Sequence, residues 1–246
     1  MTTICNLNQR QGTRRNLHSS LLWAAVTPLW WSTLCAQIVE YPIHTLASST
    51  PTSLAAINVN ANIVASSLSM NGMARYGWSE SMSTFGFPSG AVDTSKNYEF
   101  TITPNSGYTI TYSTLTYGIW KINAPGAILN WELHASTDGF ATSDITLDTY
   151  SLIPLPVAPA DPGDVTVNSD ISALGTQSGT VTFRFYAYDT GSGGPGGLSN
   201  RGGTSWTANG SDVLLGGSVS AVPEVESIAL VSGAALMVFA AYRRRG

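Results

Sequence analysis

Apolar residues follow three regimes along the chain. An apolar run extends from Leu21 to Leu34, and a second, uncharged one covers Ile228 to Tyr242. Between them apolar and polar residues alternate with period two, as strands do when one face packs and the other meets water. Tyr98 to Thr103 alternates and is closed by a Pro104-Asn105-Ser106-Gly107 turn. Tyr108 to Trp120 is rich in Tyr, Thr and Ile, and Thr180 to Tyr188 alternates again. Ile128 to His134 alternates and leads into Thr137-Asp138-Gly139-Phe140, a turn in which Gly139 takes a positive φ. Asp212 to Ser220 supplies a last strand, and further strands are predicted at Ile38–Tyr41, Ala55–Val64, Asp144–Tyr150 and Val165–Ile171. No helical stripe occurs between Gln37 and Ala221. About eight to ten strands at this spacing predict an all-β, antiparallel β-sandwich of jelly-roll type over residues 37–220. Its core would contain Trp131, Leu133, Phe183 and Phe185. Leu152 to Gly163 is proline-rich and reads as an extended crossing between sheets. The Gly191–Gly197 stretch falls in a flexible connection of about 20 residues between the last two strands.

Charge sharpens this division. Only 11% of the 246 residues are charged, against roughly 25% in ordinary soluble domains. Five basic and thirteen acidic residues lie between Gln37 and Ala221, a net charge of −8; the other six arginines sit at the two ends. An acidic middle without a basic cluster argues against nucleic acid as a partner, because phosphate neutralisation needs Lys and Arg. The two cysteines, Cys5 and Cys35, belong to the N-terminal segment, so the β-domain has neither a disulfide framework nor a cysteine metal site.

The ends read as addresses. Arg10, Arg14 and Arg15 precede the first apolar run and Ala36 follows it, the layout of a secretory signal over residues 1–36. The run is about 14 residues, or about 21 Å as a helix, short for a bilayer of roughly 30 Å. A retained anchor is the alternative; lipidation at Cys35 is disfavoured by Leu34, where a small residue is wanted. At the other end, residues 221–246 form a sorting tail: Val222-Pro223-Glu224, a transmembrane helix over 228–242, and Arg243-Arg244-Arg245. Arginines directly after an apolar helix hold that flank in the cytoplasm.

The order Pro223-Glu224, apolar helix, arginine cluster resembles the PEP-CTERM sorting tail of Gram-negative, exopolysaccharide-producing bacteria. The resemblance implies recognition of Val222, Pro223 and Glu224 by an exosortase-type membrane protease, transient residence in the inner membrane, and transfer to the outer surface or the extracellular space. The sequence departs from the family pattern at Val225, where a second proline is usual. Tyr98–Tyr108, the Ser136–Phe140 turn and Thr180–Gly194 resemble lectin-like, laminin-G-like and carbohydrate-binding β-sandwiches that commonly precede such tails.

Candidate chemistry in the β-domain is sparse. The only histidines after the signal are His44 and His134; by alternation His134 shares a strand face with Glu132 rather than with Leu133, and it is predicted as a solvent-facing cross-strand contact. No nucleophile elbow and no zinc-protease motif occurs, so the domain is not expected to be an enzyme. Glu99, Glu132 and Asp148 would have to converge for glycoside hydrolysis. The glycine-rich stretch lacks the Lys-Ser/Thr ending of a phosphate loop. Trp206 with Tyr186 and Tyr188 is the candidate glycan contact, since an indole can stack on the apolar face of a pyranose. Asp93, Asp189, Asn209 and Asp212, in polar loops, are candidate calcium ligands, the one cofactor considered. The sequence therefore predicts an exported cell-surface or extracellular-matrix structural protein. A carbohydrate-binding module for exopolysaccharide is the alternative, and a glycoside hydrolase the third reading.

Overall fold

Alternation fixes which residues turn inward. In Asn97–Pro104 the buried positions Tyr98, Phe100 and Ile102 alternate with half-buried Glu99, Thr101 and Thr103, and the same rule runs through a set of antiparallel strands. The computed structural model describes residues 36–46, 51–76, 81–85, 87–121, 129–152, 163–189, 196–199 and 212–223. Its strands are β1 (Ala36–Tyr41), β2 (Ser53–Leu54), β3 (Ile63–Ala65), β4 (Leu68–Asn71), β5 (Ala74–Tyr76), β6 (Ser81–Phe85), β7 (Asn97–Pro104) and β8 (Tyr108–Lys121). They continue with β9 (Leu129–Ser136), β10 (Ile145–Leu152), β11 (Gly163–Asp170), β12 (Thr176–Gln177), β13 (Val181–Asp189), β14 (Gly196–Ser199) and β15 (Val213–Ala221). Two single 3-10 turns, Ile43–Thr45 and Ser172–Leu174, are the only helical pieces among the described residues.

The strands form two antiparallel sheets. Sheet I has eight, in the order β1-β15-β8-β14-β6-β5, with β11 and β12 on the opposite edge of β8. Sheet II has seven, in the order β10-β9-β13-β7-β4-β2, with β3 also on β7. The strands of six or more residues reduce to β1-β15-β8-β11 in one sheet and β7-β13-β9-β10 in the other. Aromatic rings join the two layers. Tyr41, Tyr112 and Tyr117 of sheet I meet Phe100, Phe183 and Phe185 of sheet II at centroid distances of 5.0, 5.6 and 4.8 Å. Tyr98 of sheet II donates to the Met82 carbonyl of sheet I at 2.7 Å. Trp131, Leu133, Phe183 and Phe185 are buried, as alternation predicts.

One bulge keeps the longest strand in register with the core. On β8 the buried positions pass from Ile110 and Tyr112 to Leu115, Tyr117 and Ile119, a change of parity. Gly217 pairs with Tyr112 and Gly216 with Thr114, so Ser113 is the extra residue. The strands approach closely here: a Cβ on Gly217 would stand 2.6 Å from the Thr111 carbonyl oxygen, and one on Gly216 2.5 Å from Thr114 Oγ1.

Two sequence expectations change. Ala55–Val64 is not one strand. Ile57 exchanges two backbone bonds with Glu40 on the free edge of β1, but Asn58 takes φ +48° and Asn62 N donates to Asn60 Oδ1, so the asparagines turn the chain instead of extending it. The connection between β13 and β15 is not plain loop: β14 lies within it and pairs with β6 and β8. The sheet change across the proline-rich segment is as predicted, since β10 lies in sheet II and β11 in sheet I.

Candidate functional site

The outer face of sheet II carries a row of charged and polar groups. Register puts Glu99, Arg184, His134 and Thr146 in one row across β7, β13, β9 and β10. Arg184 Nε donates to Glu99 Oε2 at 2.6 Å, and the Phe140 ring covers the guanidinium at 4.2 Å. Phe140 sits at φ +66°, a conformation that bulky residues avoid. Ser136 Oγ holds it there, accepting from Phe140 N at 2.7 Å. Asp138 anchors the same loop by accepting from Ser136 Oγ, Ala141 N, Thr142 N, Thr142 Oγ1 and Ser143 N at 2.7–3.1 Å. The Thr142 hydroxyl first, then that of Ser136, hold the Asp138 carboxyl well below the usual carboxylate range.

His134 is not a solvent-facing contact. It is buried, with Nδ1 2.6 Å from Asp144 Oδ1 and Nε2 2.9 Å from Glu132 Oε2, and its ring meets Tyr186 edge-on at 5.0 Å. Each ring nitrogen faces a carboxylate, so neither is left to serve a substrate. Asp144, ten residues away across the turn, is a partner that alternation alone does not reveal. The three carboxylates considered for hydrolysis do not converge. Glu99 and Glu132 lie on the outer face, whereas a bulge between Thr146 and Asp148 turns Asp148 inward, where it accepts from Ser169 Oγ at 2.6 Å.

The candidate glycan contact is changed as well. Tyr186 is only 2% exposed, beneath His134 and within 3.4 Å of Arg184 Nη1, and offers no ring face to a sugar. Tyr188 is half-buried; burial first, and then the negative charge of Glu132, raise its phenol. Trp206 lies outside the described residues.

The predicted calcium ligands that the structure describes have other partners. Asp93 closes its own turn, accepting from Ser95 N and Ser95 Oγ at 3.0 and 2.6 Å, with Lys96 Nζ at 3.8 Å. Those bonds, the Ser95 hydroxyl foremost, lower its carboxyl. Asp189 ends β13 in sheet II, and Asn209 lies outside the described residues. Asp212, immediately before β15, instead meets residues that the sequence reading passed over. His44 N donates to Asp212 Oδ1 at 3.0 Å, and His44 Nδ1 lies 2.6 Å from Oδ2. Glu40, at the end of β1, completes the group: one ligand atom from each of Glu40, His44 and Asp212 lies within 4.8 Å of the others. Pro42 and the 3-10 turn after it return His44 to the β1–β15 seam, a fold that no periodicity announces.

The first and last described strands border each other at that seam. β1 begins at Ala36, paired with Gly217, and β15 ends at Ala221 on the same side of the sandwich. Val222 N makes one more bond, to the Gly107 carbonyl at 2.8 Å; Val222 and Pro223 are exposed. Residues 1–35, Glu224, the predicted helix 228–242 and Arg243, Arg244 and Arg245 lie outside the described residues. Among the described residues no helix is long and apolar enough to cross a membrane.

No protein-family model and no curated protein matches the chain. Among solved structures it is similar to a chain in the structure of infectious bursal disease virus Gt strain, with 11% identity and a TM-score of 0.27. The alignment covers 71% of this chain and 40% of that one, a likeness too distant to bear on function.

Proposed function

We propose that the chain is an exported structural protein of the cell surface or extracellular matrix, built on a jelly roll and delivered by an exosortase-type sorting system. The observation that carries this reading is where the last described strand ends. β15 ends at Ala221 and Pro223 is exposed, so cutting at or after the Pro223-Glu224 element would leave every ladder bond of the described residues intact. At the other end, cleavage behind Ala36 would remove one exposed residue from β1. The jelly-roll reading is supported by the long-strand order: numbered one to eight along the chain, they run 1-8-3-6 and 2-7-4-5. The hydroxyl-rich outer surface and the absence of cysteine from the domain suit an extracellular setting.

The experiment is fractionation of tagged protein expressed in an exosortase-bearing host, with mass spectrometry of both mature termini. The expected result is extracytoplasmic protein starting near Gln37 and ending near Pro223 or Glu224, with the full-length form accumulating in the inner membrane when the sortase gene is deleted. Full-length protein recovered from the cytosol would overturn the reading.

A further inference from the structure

We infer that Glu40, His44 and Asp212 form a binding site for a divalent transition ion, Zn2+ being the natural occupant by chemistry. This does not rest on the sorting proposal. Three separated segments supply the donors: the end of β1, the 3-10 turn Ile43–Thr45, and the residue before β15. One ligand atom from each lies within 4.8 Å of the other two. Ligands about 2.0–2.2 Å from a tetrahedral zinc stand roughly 3.5 Å apart, so His44 Nδ1 and Asp212 Oδ2, now 2.6 Å apart, open by about 1 Å and Glu40 closes by up to about as much.

The donor set selects the ion. One imidazole nitrogen and two carboxylate oxygens match the borderline ions that combine His with Asp or Glu. Calcium asks for six to eight oxygens, and Asp93, the other described loop aspartate considered for it, is engaged in its own turn. The ligands are also held from outside the group, as metal ligands usually are. Glu40 Oε2 accepts from Asn58 Nδ2 at 2.6 Å and from Gln37 Nε2 at 3.0 Å. Asp212 Oδ1 accepts the His44 backbone N–H, which aims Oδ2 at the imidazole. The Asp212 side chain is 10% exposed and that of His44 44% exposed, so the group is anchored on one side and open on the other. An ion would enter from the open side, displace the proton between Nδ1 and Oδ2, and keep water in its remaining position. It would fasten the first and last described strands at the end of their ladder opposite Ala36 and Ala221.

The test uses untagged full-length protein freed of metal with a chelator. Calorimetric titration with Zn2+ is expected to give one site per chain, and thermal unfolding should move up by several degrees at saturating Zn2+ but not at equal Ca2+ or Mg2+. Co2+ should produce visible absorption that Zn2+ bleaches. His44→Gln, at an accessible side chain, and Asp212→Asn, which can still accept the backbone bond, should each weaken Zn2+ binding at least tenfold. Asn58→Ala should weaken it through Glu40. Should Asp212→Asn fail to fold, His44→Gln carries the test. Failure to bind Zn2+, binding unchanged in His44→Gln, or equal competition by Ca2+ would overturn the assignment and leave Asp212 as a cap for the turn at His44.

Discussion

Three tyrosines of sheet I reach into the same aromatic layer, and their hydroxyls meet different ends. Tyr41 donates to the Ser66 carbonyl at 2.8 Å, and Tyr117 OH lies 3.4 Å from Ser169 Oγ. Tyr112 OH is buried with no hydrogen-bond partner among the described residues. A buried hydroxyl without a partner destabilises by about 1–3 kcal/mol, so Tyr112→Phe is expected to stabilise the domain by about 1 kcal/mol. Burial also raises the phenols of Tyr112 and Tyr117, the latter to about 12. The sign follows: in the unfolded chain both ionise near pH 10, so their contribution is complete below pH 10 and is lost as pH rises toward and beyond 12. Urea unfolding at pH 7 and pH 11, followed by tryptophan fluorescence, should show wild type losing more stability than Tyr112→Phe across that interval. A variant less stable than wild type at pH 7 would mean that the hydroxyl has a partner.

At the scale of elements, every strand of six or more residues coincides with a strand predicted from the sequence, and β7, β9 and β13 do so through alternation, because they bury alternate side chains against the other sheet. The short strands β4, β5, β6, β12 and β14 were not legible. They hold too few residues to show a period, and they exist because a longer neighbour offers a free edge, as β8 does for β14 and β12. The bulge at Ser113 is legible only in retrospect, through the Gly216-Gly217 pair facing it. That pair makes an ordered prediction. A Cβ at Gly217 meets a backbone carbonyl that moves only with its strand, whereas at Gly216 the nearest atom is a threonine hydroxyl that can rotate away. Gly217→Ala should therefore destabilise by about 2–3 kcal/mol, as overpacking does, and Gly216→Ala by about 1 kcal/mol or less. Denaturant midpoints at unchanged m-value decide it, and equal losses would refute the close approach of β8 and β15 drawn here.

At the scale of the molecule, the fold was more legible than the site. Alternation belongs to each strand and can be read locally, whereas the site depends on which distant residues share an edge. His44 and Asp212 are 168 positions apart and meet because β1 and β15 are neighbours and Pro42 redirects the chain. The same pairing makes a statement about the whole chain. β1 and β15 are adjacent, their outer ends lie on one side, and Val222 makes the last backbone bond among the described residues. Residues 37–223 should then form a complete folding unit, with a thermal midpoint within about 2 °C of full-length protein measured in detergent. Removing nine residues more at the C-terminus is a different matter. A chain ending at Leu214 loses most of β15, which bridges β1 to β8, and with it the buried Leu215. Of its ladder β1 then keeps only the pairs with Val213 and Leu214, beside the bridge at Ile57, and β8 exposes an unpaired edge, a template for aggregation. Circular dichroism and size-exclusion chromatography of the two truncations should separate a folded product from an aggregating one. A folded 37–214 fragment would mean that the order of sheet I is not what holds the sandwich together.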